Sequence, residues 1–103
     1  MDSHIKNQIE EDIKKNKVLV YMKGTPEAPQ CGFSAQVASL FKSKNVKFAS
    51  RNILENEDLR QAIKEFTEWP TIPQVFINGE LIGGCDIVME LNTTGELDKL
   101  LNT

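Results

Sequence analysis

Residues 17–52 read KVLVYMKGTPEAPQCGFSAQVASLFKSKNVKFASRN, and the order of patterns inside this stretch decides the fold. Lys17 to Met22 is a short apolar run rich in β-formers, closed by Lys23-Gly24-Thr25-Pro26, and reads as a buried strand entering a loop. Val37, Leu40 and Phe41 follow at helical spacing, which predicts a helix from about Phe33 to Lys44. Lys47 to Asn52 reads as a second strand. A strand, helix, strand unit takes parallel pairing and a right-handed crossover by default.

Working outward, Ile5, Ile9 and Ile13 recur every four residues behind Asp2 and Ser3 as N-caps, which predicts an amphipathic first helix. Beyond the unit, Asn56 caps a third helix with Leu59, Ile63 and Phe66 on one face, and that helix stops before Trp69-Pro70. Gln74 to Ile77 and Glu80 to Gly83 flank Asn78-Gly79, a strong hairpin signal. The segment after Gly84 reads as a helix with Asp86 as its cap and Ile87 and Leu91 apolar, and a last short helix spans about Glu96 to Leu101. The order α-β-α-β-α-β-β-α-α puts helices on both faces of a mixed four-stranded sheet. That is the plan of an α/β, thioredoxin-like fold. No repeat, low-complexity tract or linker-like shift divides the chain, so residues 1–103 are expected to form a single domain.

Charge and composition narrow the function. The 103 residues carry a formal net charge of −3, with 40% hydrophobic and 26% charged residues, the make-up of an ordinary globular chain. No global positive field is available to draw in nucleic acid or an anionic membrane surface. No apolar run is long enough to span a bilayer, and the N-terminus lacks the apolar centre of a secretory signal. That N-terminus is rich in Glu, Asp and Lys and lacks Arg, unlike a mitochondrial presequence. A cytoplasmic location, bacterial by preference, is therefore expected, or the mitochondrial matrix for a processed eukaryotic chain. Two well-separated cysteines, Cys31 and Cys85, are no disulfide scaffold and fit a reducing compartment. With one histidine, His4, no Cys/His set can close a tetrahedral zinc site within one chain.

Cys31 stands between a loop carrying Pro26 and Pro29 and the start of the second helix. The unpaired N–H groups of a first helical turn and the positive end of the helix dipole stabilise a thiolate, and Lys23 at the end of the preceding strand adds a positive charge. Serine at position 34 cannot act as the second sulfur of a C-x-x-C pair, so dithiol exchange at this turn is excluded. An external thiol can still resolve a mixed disulfide at Cys31, and so can Cys85 if the fold brings it near.

Cys31-Gly32-Phe33-Ser34 resembles the CGFS signature of the monothiol glutaredoxins. Lys23-Gly24-Thr25-Pro26-Glu27 and Pro29-Gln30 resemble that family's active-site loop, Trp69-Pro70-Thr71-Ile72-Pro73 its WP-T-[IV]-P segment, and Gly83-Gly84-Cys85-Asp86 its GGCD segment. Together these motifs cover roughly residues 17–92. The resemblance implies a glutaredoxin fold and a glutathione site. Thr71, Ile72 and Pro73 would lie opposite Cys31, with Pro73 after a cis peptide bond and the Ile72 backbone pairing with the tripeptide. Phe33 would join this site. Lys23 and Arg60 would take the glycine carboxylate. Asp86 and the N–H groups of the following helix would take the γ-glutamyl end, and Gly84 and the backbone of Cys85 would come close to the ligand. Trp69 reads as core packing or cleft wall.

A [2Fe-2S] centre needs four ligands, normally thiolates, and one chain presents a single reactive thiolate. The resemblance implies a cluster bridging two chains, with Cys31 as the protein ligand to the metal and glutathione supplying the remaining sulfurs. The chain would be a homodimer when cluster-bound and a monomer when apo, receiving clusters from an iron-sulfur scaffold and passing them to recipient apo-proteins, with a BolA-type protein as a further partner. The alternative is a glutathione-dependent oxidoreductase acting on mixed disulfides through Cys31.

Overall fold

The structure is a computed structural model describing residues 3–103. The elements are α1 (Ser3–Lys15), β1 (Val18–Met22), α2 (Gly32–Ser43), β2 (Ala49–Asn52), α3 (Glu57–Thr67), β3 (Gln74–Ile77), β4 (Glu80–Gly83), α4 (Cys85–Thr94) and α5 (Glu96–Leu101). Their order is the expected one. The strands form one mixed sheet in the order β2-β1-β3-β4, parallel between β1 and β2 and antiparallel elsewhere.

The central strand β1 is buried along its whole length, as a strand covered on both faces must be. Val18, Val20 and Met22 pack with Val37, Ala38 and Phe41 of α2, Val88 of α4 and Leu97 of α5. Leu19 and Tyr21 pack with Ile9 of α1 and Ala62 and Ile63 of α3. The two-residue alternation of a strand thus feeds two cores, one per face. Helices α2 and α4 share the first face, and this places the Cys31 loop beside the start of α4.

Several boundaries differ from the sequence reading. Pairing of β2 begins at Leu19 opposite Ala49, leaving Lys47 and Phe48 outside the ladder, and the Phe48 ring packs on Phe41 at 5.5 Å between centroids. Asn56 caps α3 as expected, its side chain accepting from the Leu59 N–H at 3.1 Å. Ser3 falls inside α1 rather than ahead of it, and Asp2 lies outside the described residues. Asp86 is not the cap of α4. The chain is already extended at Gly84 (φ −94°, ψ −163°), so the helix opens one residue before Asp86 and no side chain caps it.

Asn78 and Gly79 both have positive φ, 53° and 84°, the backbone that a two-residue hairpin turn needs to match strand twist. The β3–β4 register shifts between Val75 and Phe76, and such a bulge re-aims the strand. Here it leads through Gly83, at φ +146°, where a Cβ would stand 2.8 Å from the Ile87 side chain. Only glycine fits this corner between β4 and α4.

One buried polar pair ties α1 to the edge strand. Asp12 is 1% exposed and accepts from Arg51 Nε at 2.9 Å and Nη2 at 2.8 Å, a two-pronged ion pair. Removing one partner of such a pair leaves a charge buried alone. Arg51→Ala is expected to lower stability by about 3 kcal/mol, read from the urea unfolding midpoint; an unchanged midpoint would show that the pair contributes nothing.

Candidate functional site

Cys31 is the N-cap of α2, with extended backbone and a half-buried side chain. Its Sγ accepts from the Ser34 N–H at 3.3 Å and lies 3.3 Å from Ser34 Oγ. That hydroxyl is fully buried and already accepts from the Lys23 N–H at 3.1 Å. A hydroxyl both donates and accepts, so the neutral thiol donates to it and the ionised sulfur can accept its proton. Burial pushes the Cys31 thiol up, but the Ser34 hydroxyl, the N–H groups of Ser34 and Phe33 and the Lys23 charge together outweigh it and hold the thiol below its ordinary value. Cys31 is thus a partly exposed thiol whose ionisation the fold favours.

Beside it opens a cleft of about 420 Å³, within the range of small-molecule sites. Five segments meet there. Lys23 follows β1 and Phe33 lies in the first turn of α2; the loop from Trp69 to Pro73 forms one wall; Gly84 to Ile87 bring the start of α4; Lys64 comes from α3. The Cys31 sulfur does not line the cleft itself but interacts electrostatically with Lys23 and Cys85, both of which do. Phe33 is 59% exposed beside it.

The backbone facing this cleft is unusually open. The Ile72-Pro73 bond is cis, the Ile72 side chain is buried, and the Ile72 N–H and C=O make no hydrogen bond to any described residue. At α4, the first-turn N–H groups have no side-chain cap, and Asp86 adds a carboxylate next to them. A Cβ on Gly84 would stand 3.2 Å from the Pro73 carbonyl, so the two walls meet backbone to backbone. Cations, a carboxylate, helix N–H groups and an unpaired stretch of backbone therefore border one groove.

Arg60 and Lys64 stand one turn apart on α3. Arg60 pairs with Glu57 at 3.3 Å on its own helix and stays outside the cleft lining, whereas Lys64 is inside. Cys85 is buried and its thiol donates to Gln36 Oε1 at 3.2 Å. Burial, Asp86 and Cys31 push that thiol up, so the two cysteines differ in kind: one held below its ordinary value and reachable, one pushed above it and packed. Among the described residues, no three His, Cys, Asp or Glu side chains gather as a metal site.

The glutaredoxin family profile matches residues 18–82. The chain belongs to the glutaredoxin family. It is 53% identical over 93 residues to a probable monothiol glutaredoxin 2 of Rickettsia typhi, spanning 90% of this chain and 84% of that one. It is 50% identical over 97 residues to the mitochondrial monothiol glutaredoxin-S15 of Arabidopsis thaliana; the match takes in 94% of this chain but 57% of that longer protein. Reduced apo GrxS14 from poplar superposes with a TM-score of 0.82 at 47% identity, covering 96% of this chain and 94% of the other. A buckwheat glutaredoxin solved in complex with glutathione superposes at 0.85 with 27% identity, covering 99% and 94%.

With Ser34 in place of a second cysteine, this is a monothiol glutaredoxin. Two features of its site escape a reading of motifs. Lys64 lies four residues after Arg60, hence on the same helix face, and that spacing is the one signal that marks it. The Ser34 hydroxyl reads in sequence as a missing sulfur, whereas in the fold it bonds to the remaining one. Ser34→Ala should move the pH profile of Cys31 alkylation to higher pH and slow the reaction at neutral pH, because the thiolate loses a donor; peptide mapping by mass spectrometry should also find Cys31 labelled before Cys85. A profile that does not move would remove Ser34 from the account.

Proposed function

We propose that this glutaredoxin binds glutathione in the cleft beside Cys31 and carries a [2Fe-2S] cluster between two such chains for transfer to apo-proteins. The observation that carries the reading is a single accessible thiolate next to a groove whose donors match the tripeptide. Glutathione has two carboxylates and one ammonium. Lys23 and Lys64 suit one carboxylate; the uncapped N–H groups of α4 suit the other, and Asp86 suits the ammonium. The unpaired Ile72 backbone, flanked by Thr71 and Pro73, suits the peptide groups between them. The glutathione complex of the buckwheat relative supports the same occupant.

The donor set then governs what the thiolate can do with iron. Four sulfurs are needed, and Cys85, neutral and bonded to Gln36, is poorly placed to be one of them. Two copies of Cys31 and two bound glutathiones make up the number, so ligation brings two chains together, and half of the ligands can exchange. A cluster held in this way is cargo. Its lability fits passage from an assembly scaffold to a recipient. Relatives from a bacterium and from mitochondria fit a reducing cytoplasm or matrix, and among the described residues no helix is long and apolar enough to cross a membrane.

The depressed Cys31 thiol also supports a second reading. Its thiolate can attack the protein-glutathione disulfide of a target, forming a Cys31-glutathione disulfide and releasing the target thiolate. A second glutathione thiolate then frees Cys31 and leaves as glutathione disulfide. Ser34 provides no internal sulfur to speed that return.

Anaerobic reconstitution with iron, sulfide and glutathione tests the carrier. A coloured dimer is expected only when glutathione is present; Cys31→Ser should abolish the colour and Cys85→Ser should leave most of it. A colourless monomer, or colour that follows Cys85, contradicts the proposal. Lys64→Gln should weaken glutathione binding by roughly tenfold, the worth of one charge-assisted hydrogen bond, as measured by titration calorimetry.

A further inference from the structure

We infer that Gln74 is a positioning residue of the cleft: its side chain acts as the brace that holds the Trp69-to-Pro73 wall in its binding shape. The inference rests on the reading of that cleft as a glutathione site and names a residue that never touches the ligand. Gln74 opens β3, is fully buried and does not line the cleft.

A buried glutamine needs a reason, since burying an amide without partners is unfavourable. Here the reason is visible. Gln74 Nε2 donates to the Trp69 carbonyl at 2.9 Å and to the Thr71 carbonyl at 3.2 Å. Both partners are acceptors, so only the amide nitrogen can face them, and both of its protons are used. Its Oε1 is left buried with no partner among the described residues. A side chain kept at that cost, facing only backbone, is there for what its nitrogen holds.

What it holds is a loop with few other ties. Between α3 and β3, the Trp69 N–H is met by Thr67 Oγ1 at 3.1 Å, and the carbonyls of Trp69 and Thr71 are met by Gln74 alone. The Ile72 backbone has no bond of its own. The segment that must present an unpaired backbone to glutathione therefore has its carbonyls held by one amide among the described residues. Asparagine is a methylene too short to reach both carbonyls from the same backbone. A carboxylate would turn negative oxygens toward them.

Gln74→Met keeps the volume and removes the donors, and Gln74→Glu keeps the shape and reverses the polarity. The chain's single tryptophan, Trp69, lines the cleft, so its fluorescence reports glutathione titrations directly. Both variants should bind glutathione at least tenfold more weakly while the Cys31 alkylation rate without glutathione stays within twofold of wild type, because Cys31 is set by α2 and Ser34. Backbone hydrogen exchange of the 69–73 segment in the free protein is the second readout and should quicken in either variant. Unchanged affinity, or unchanged exchange in a variant whose alkylation rate is normal, overturns the brace. If one variant fails to fold, the other decides. If wild type shows no glutathione binding, the glutathione reading fails on its own, and the exchange experiment still decides whether Gln74 holds the loop.

Discussion

The site depends on one hydrogen-bond chain: Lys23 N–H to Ser34 Oγ, and Ser34 Oγ paired with Cys31 Sγ. Its first link ties the end of β1 to α2 at 3.1 Å, and its second puts a buried hydroxyl 3.3 Å from the sulfur. The Ser34 hydroxyl holds the Cys31 thiol down, so the second link favours the ionised sulfur. The N–H groups of the first turn of α2 act in the same sense. A neutral thiol here would leave those donors facing a weak acceptor, so the fold and the charge state of Cys31 support each other.

From that sulfur outward, the rest of the groove is made of backbone more than of side chains. The uncapped start of α4, the open Ile72 peptide and the close approach of Gly84 to Pro73 are all main-chain features. Side chains provide charge at three places, Lys23, Lys64 and Asp86. Such a surface suits a small, charged peptide. It offers few side-chain ligands to a bare metal ion, and one reactive thiolate per chain makes assembly between chains the natural outcome of ligation.

Most of the fold was legible in sequence because its signals are local. The hairpin turn at Asn78-Gly79, the Asn56 cap and the apolar run of β1 each declare themselves within a few residues. Where the reading missed, the deciding interaction was between distant segments. Asp12 looks like an ordinary polar residue of an amphipathic helix until Arg51 arrives from β2, and Asp86 looks like a cap until the corner at Gly83 starts α4 early. In the site, Cys31 and the motif segments were legible as elements, and the fold does bring Lys23, Phe33, Thr71, Ile72, Pro73, Gly84, Cys85 and Asp86 to one cleft. The addition of Lys64 to the groove was not legible, because which turn of α3 faces the groove depends on how the helix packs. Nor was Gln74, whose partners are carbonyls and leave no mark on the sequence.

The central claim is that one thiolate per chain, completed by glutathione, joins two chains around a cluster. Native mass spectrometry of the protein reconstituted under anaerobic conditions counts the parts directly. The account predicts a species of two chains, two glutathiones and one [2Fe-2S] cluster, which disappears in Cys31→Ser. Iron and sulfide held by one chain, or by two chains without glutathione, would contradict it.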